Sequence, residues 1–302
     1  MGYDSGVRFR PLGLLLWAAP VLALAAVEGG AAGPVSAPSA STSGVLAQQR
    51  VGGAPRDLLN DAFLVSGSSR IRYWNGPLDL TREFYFTRAF YRDNSWDTFR
   101  RFPSWSVDFP KADLQFLIGL KRLVNHLDAY DNENPIALTD PRLANFPFLY
   151  AVEVGHMQLS DLEVKRLRRY LLAGGFLFVD DFWGTGEWGV FERQIRRVLP
   201  EFPIVDIPLD HAIFHSFYDV EEIVQVPNVM NGRMGGPTWE KDGYTPMVRG
   251  IFDDQDRLLV AISFNCDLGD AWEWAEDPYY PLKFSTYAYQ MGINVILYAM
   301  SH

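Results

Sequence analysis

Apolar positions recur along the chain with two periods, and the change from one to the other marks out the elements. Phe84-Tyr85-Phe86-Thr87-Arg88-Ala89-Phe90 has the aromatic and apolar density of a strand. Pro110 then opens a helix in which Phe116, Leu120, Leu123 and Leu127 return at helical spacing. Pro135-Ile136-Ala137-Leu138-Thr139 predicts a short strand. Phe148-Leu149-Tyr150-Ala151-Val152-Glu153-Val154 predicts another, apolar almost throughout, as a central strand covered on both faces should be.

The clearest unit comes next. Ser160-Asp161-Leu162-Glu163 is a capping box, with Ser at the N-cap and Glu three residues on. Val164, Leu167 and Leu171 form the stripe that faces inward. Gly174-Gly175 stops the helix, because the left-handed C-cap costs glycine little. Phe176-Leu177-Phe178-Val179 then runs as a strand into Asp180-Asp181. Strand, capped helix, double glycine, strand predicts a βαβ crossover. Residues 187–199 read as the next helix, with Phe191, Ile195 and Val198 inward.

Beyond Pro200 short strands alternate with loops: 204–207, 223–226, 250–252 and 258–264. The last two flank Asp253-Asp254-Gln255-Asp256, a hairpin turn. The segment 228–236, with three glycines, reads as a surface loop. Phe284, Ala288, Met291, Val295 and Tyr298 mark a closing helix. The whole predicts one α/β domain, a three-layer flavodoxin-like sandwich with a mainly parallel sheet plus a C-terminal hairpin and helix. One link strains the scheme. Residues 140–147 are too few for a helical crossover, which takes a dozen or more, so the 135–139 strand lies at an edge or is joined by a loose crossover.

The first 81 residues do not share this pattern. Arg8 and Arg10 precede an apolar Leu- and Ala-rich run, and Ala23-Leu24-Ala25 is an A-x-A cleavage site. Residues 1–25 therefore read as a signal peptide that sends the protein to the periplasm or outside the cell. The alternative is a retained anchor, but Pro20 breaks the run. Residues 26–55, rich in Ala, Gly, Pro and Ser, read as a flexible linker, and residues 56–81 as an N-terminal extension of the domain that starts at 82.

Composition narrows the function. Of 302 residues 48% are hydrophobic and 15% aromatic, which supports a sizeable core. The net charge of −10 with no basic cluster argues against nucleic acid. Cys266 is the one cysteine, so there is no intrachain disulfide and no lipoprotein anchor. Glycine-rich phosphate loops and dinucleotide fingerprints are absent, so no cofactor is called for.

Several stretches together resemble a family of bacterial proteins, the domain of unknown function 4159 family. They are Phe146-Pro147-Phe148-Leu149-Tyr150, Gly155-His156, Leu159-Ser160-Asp161 through Gly174-Gly175-Phe176-Leu177, Asp180-Asp181-Phe182, Asp210-His211 and Asp267-Leu268-Gly269. The resemblance spans about residues 82–300. It implies the class I glutamine-amidotransferase-like sandwich, and the pattern around Gly174-Gly175 is also similar to the ThuA-like group of that fold. In amidotransferases the strand after the double glycine ends at an elbow that carries a nucleophilic Cys. By the resemblance that position falls at or next to Asp181, so thioester chemistry has no nucleophile.

Position in the fold singles out the candidate residues. Asp180 and Asp181 end a central strand, where ligands bind in open α/β sheets, and one of the pair should face the crevice. His156 ends the neighbouring strand. His211, after Asp210, is expected to be carried over them by a later loop. With His215 it has a spacing suggestive of metal, but no third ligand is fixed, and no metal is assigned. Asp181, His156 and His211 are the candidate catalytic group. Trp183, Trp188, Trp239, Trp272 and Trp274 crowd the loops, and with Asp267, Glu273 and Glu187 they suit a sugar ring. Arg88 and Arg92 end the first strand, placed to neutralise a carboxylate or hold an anion. Two functions compete. One is an exported domain that binds a small polar or carbohydrate ligand, or scaffolds envelope proteins. The other is a hydrolase of a carbohydrate or other polar substrate.

Overall fold

The computed structural model describes residues 80–93 and 103–302. The expected signal peptide, the linker and all but the last two residues of the N-terminal extension lie outside them. Seven strands form one sheet: β1 (Thr87–Phe90), β2 (Asn134–Ala137), β3 (Phe148–Val152), β4 (Phe176–Asp180), β5 (Ile204–Asp206), β6 (Met247–Phe252) and β7 (Leu258–Phe264). Their order is β2-β1-β3-β4-β7-β6-β5. The first five in that order run parallel, and β6 and β5 are added antiparallel. This is a flavodoxin-like order, in which the direction of winding reverses between β1 and β3.

The described residues form six α-helices: α1 (Lys111–Leu123), α2 (Asp161–Leu172), α3 (Gly184–Val198), α4 (Val229–Met234), α5 (Leu268–Glu273) and α6 (Leu282–Ser301). The period of two in the strands makes the layers. Leu149, Ala151, Leu177 and Val179 pack with Leu167, Leu171, Phe191 and Ile195 of α2 and α3. Phe148, Tyr150, Phe176 and Phe178 face the other way and pack with Phe116 of α1, Trp272 of α5 and Phe284 and Met291 of α6. Burying a side chain such as Phe or Met contributes roughly 1.5–3 kcal/mol.

The expected capping box is present: Ser160 Oγ accepts from Glu163 N, and Glu163 accepts from Ser160 N at 2.7 Å. Gly174 takes the left-handed conformation at φ 110°. The short link is resolved too. β2 is the edge strand, and residues 138–147, with a 3-10 turn at Pro141–Asn145, carry the chain past β1 to β3.

Three local expectations need correction. Residues 223–226 form no strand. They run extended beside Cys266 and Asp267, past the end of β7, where Asp267 N donates to Val226 O without a continuing ladder. The loop at 228–236 contains α4, started by Asn228 Oδ1 on Asn231 N and stopped by Gly235 at φ 62°. β1 starts at Thr87, because Phe84 makes only an isolated bridge to Ala129.

Candidate functional site

Four connections leave the carboxyl ends of the parallel strands, and each brings an acid to the same place. Asp108 lies between β1 and α1, Glu153 follows β3, and Asp181 follows β4. Asp267, Asp270 and Glu273 come with α5, after β7. In α5 they recur every three residues, which keeps them on one side of the helix.

Asp180 keeps the strand period and shares a face with Phe176 and Phe178. Its Oδ2 accepts from Tyr150 Oη at 3.0 Å, Leu268 N at 2.8 Å and Gly269 N at 3.1 Å. It thereby ties the start of α5 to the sheet. Asp181 breaks the period. Its backbone is left-handed, at φ 52°, as are Asp108 at 59°, Glu153 at 53° and Asn265 at 58°. Each such conformation costs a non-glycine residue on the order of 1 kcal/mol or more, and such strain gathers at functional sites. Asp181 Oδ1 accepts from Trp183 Nε1 at 3.1 Å.

The acids fall into two threes. The ligand atoms of Asp108, Asp181 and Asp267 lie within 4.8 Å of one another, and so do those of Asp108, Asp270 and Glu273. Asp267 Oδ1 also caps α5 by accepting from Asp270 N at 2.8 Å, and Asp270 Oδ2 accepts from Val229 N at 2.6 Å. Among the described residues no N–H or hydroxyl donor reaches Asp108 Oδ2, which is sealed from solvent. Gly269 makes room for it, since a Cβ there would stand 2.8 Å from Asp108 Oδ2 and 3.3 Å from Tyr150 Oη.

Burial, and then mutual repulsion, push the Asp108, Asp181 and Asp267 carboxyls well above the ordinary range. Asp270 and Glu273 are raised for the same first reason. Burial raises Asp180 to about 7 against the hydrogen bonds from Tyr150 and Gly269. Arg88 acts to lower Asp108 and relieves this charge only in part, because it is bound to Asp113. Such a group must hold protons or take up a cation. All its donors are oxygens, which suits a hard divalent cation such as magnesium, calcium or manganese.

His156 stands beside this group. Its Nε2 lies 3.5 Å from Glu153 Oε2 and 3.4 Å from Glu187 Oε1. Gly155 allows this approach, because a Cβ there would be 2.4 Å from Glu187 Cβ. Lys241 Nζ also binds Glu187 Oε1, so these acids already have a cation. Glu187 is lowered to about 2: burial acts to raise it and is outweighed by hydrogen bonds from His156, Lys241 and the Trp183 N–H.

His211 is not brought to Asp181. It packs against Phe252 and Tyr298, with ring centroids 5.6 and 5.5 Å away. Phe252 pairs with Leu258, the first residue of β7, whereas the acids stand beyond its last. The expected shared pocket of Asp181, His156 and His211 is therefore corrected. His211 accepts from Ile213 N and caps a 3-10 turn at the opposite end of the sheet. The spacing with His215 carries no metal site either, since His215 pairs with Asp219.

Other candidates divide between site and core. Asp180, Asp181 and Asp267 converge, and Trp183 lines the same place. Trp272 is fully buried against Phe116, Tyr150 and Phe86. Arg88 is buried and paired. Asp108, Glu153 and Asp270 escaped the reading of the sequence. A search for an acid in every strand-to-helix connection would have found Asp108 and Glu153.

Fold and site together define a three-layer flavodoxin-like α/β domain with an acidic crevice at the carboxyl ends of its strands. The chain belongs to the family described as Domain of unknown function (DUF4159), whose model matches residues 101–300. No curated protein matches it.

Proposed function

We propose that this domain binds a ligand through the acidic crevice and that the ligand is, or contains, a hard divalent cation. The observation that carries the reading is the convergence of Asp108, Asp181 and Asp267 within 4.8 Å. The layout is amidotransferase-like without the chemistry of a glutaminase. Asp181 stands at the elbow, and Cys266 is buried with its thiol pushed up by burial and by nearby Asp180. Titration of metal-free protein with magnesium, manganese and calcium by calorimetry tests the reading. Saturable binding that Asp181→Asn weakens supports it, and heat of dilution alone for all three overturns it.

One observation favours a second reading, a hydrolase of a carbohydrate or other polar substrate. His156, flanked by Glu153 and Glu187, stands one strand over from Asp181 and is placed to move a proton. Trp239 and Tyr244, exposed and 5.8 Å apart, offer aromatic faces for a sugar on the segment that also carries Lys241. Turnover of chromogenic glycosides, lost in both Asp181→Asn and His156→Gln, would establish it. Turnover equal to that of buffer removes it.

Export is part of the proposal and rests on Arg8, Arg10, the apolar run and Ala23-Leu24-Ala25. It places any scaffolding partners in the envelope. Amino-terminal sequencing of protein from its host should begin near Ala26. An intact Met1 on membrane-bound protein would show an anchor instead.

A further inference from the structure

We infer that the crevice takes a pair of divalent cations, with Asp108 as the carboxylate that bridges them. The pair rests on the cation reading proposed above, which leaves the number of ions open.

The two threes of acids share one member. Asp108 with Asp181 and Asp267 makes one, and Asp108 with Asp270 and Glu273 makes the other. A carboxylate has two oxygens and can give one to each of two ions. Pairs of divalent cations about 3.5–4 Å apart are commonly held in this way.

Asp108 is built for the task. Its left-handed backbone turns the side chain in from the loop after β1. Among the described residues no N–H or hydroxyl donates to its Oδ2, which is shut off from solvent, and the Asp108 carboxyl lies within hydrogen-bond reach of another acid, Glu273. Asp267 Oδ1 and Tyr150 Oη border the same small space, which exists because residue 269 has no Cβ.

The charge count points the same way. Five carboxylates make up the two threes. Arg88 is engaged by Asp113, and Lys111 reaches Glu273 at 3.7 Å. Two divalent cations with Lys111 balance the five charges. With one cation, two of the five acids would have to keep their protons. The third cluster, Glu153, His156 and Glu187, takes no part, since Lys241 occupies it.

The test loads the metal-free full chain with manganese and reads both stoichiometry and the electron paramagnetic resonance spectrum. Two ions per chain with an exchange-coupled spectrum are expected. Asp108→Asn should abolish the coupling, while Asp181→Asn and Glu273→Gln should each leave a single uncoupled ion. One ion per wild-type chain would overturn the pair but leave the cation reading standing. Two uncoupled ions would overturn the bridge, and so would coupling that survives Asp108→Asn. No bound manganese would overturn both. The wild-type result decides by itself if a variant does not fold.

Discussion

Arg88 and Asp113 hold each other as a closed pair beneath the crevice. Arg88 Nε lies 3.0 and 3.1 Å from the two oxygens of Asp113, and neither side chain is exposed. Nη2 also donates to Asp113, and Nη1 reaches Trp105 O at 3.2 Å and Val107 O at 2.9 Å. These bonds fix the loop that leads to Asp108. Arg88 thus positions the crevice and offsets its charge only in part, and its expected role as a ligand contact gives way to a structural one.

Asp113→Asn leaves a buried guanidinium without its counter-charge. It should destabilise the protein by about 3–5 kcal/mol, the usual cost of breaking a buried pair. Urea unfolding followed by tryptophan fluorescence measures it. A loss below about 1 kcal/mol would mean that the pair is not closed in solution.

Asp181→Asn keeps the shape and removes a charge from a buried, repelling group. Without added metal its melting temperature should equal or exceed that of the wild type. Its affinity for divalent cations should fall at least about tenfold, or about 1.4 kcal/mol. A sharply lower melting temperature would mark Asp181 as a structural partner.

Gly269→Ala tests the packing of the crevice. In a helix this change usually stabilises by roughly 0.5–1 kcal/mol. Here the new Cβ would meet Asp108 Oδ2 at 2.8 Å. The expected outcome is no gain in melting temperature together with weaker cation binding by calorimetry. A plain gain in stability with unchanged binding would show that Asp108 moves freely.

Glu187 makes stability depend on pH. Its folded pKa of about 2 lies below the ordinary value of 4.5. The unfolded chain therefore takes up the proton first as pH falls. The contribution is complete above about pH 4.5 and is lost between there and about pH 2. Its size is on the order of 3 kcal/mol. Wild type and Glu187→Gln should differ most at neutral pH and converge towards pH 2 in chemical unfolding. A gap that does not narrow on acidification would contradict this.

Cys266 is expected to be dispensable. It is buried, and its Sγ contacts Val224 O at 3.6 Å and the Ser263 side chain. Cys266→Ala should cost about 1–2 kcal/mol and leave cation binding intact. Native labelling by a thiol reagent faster than that of a free thiol would refute the buried assignment.

Much of the fold was legible because its signals are local. The capping box at Ser160 and Glu163 and the double glycine at 174 and 175 act within a few residues, and both appear as expected. The stripe from Phe284 to Tyr298 repeats over one helix and is buried along its length. The failures came where neighbours decide. Residues 223–226 have strand composition but lack a continuous partner. His211 sits near an acid in sequence, yet its segment folds over the other end of the sheet.

By itself the sequence determined the unit from β3 through α2 to β4, the helices α3 and α6, the two-sided burial of β3 and β4, and the arrival of Asp180 and Asp181 at a strand end. Only the tertiary structure decided which acids meet. Asp108, Asp181, Asp267, Asp270 and Glu273 span more than half of the described chain, and no period joins them. A carboxylate looks alike in any solvated loop. Its cost and its use arise only when separate loops shut it away beside its equals, and that depends on how the strands are ordered in the sheet.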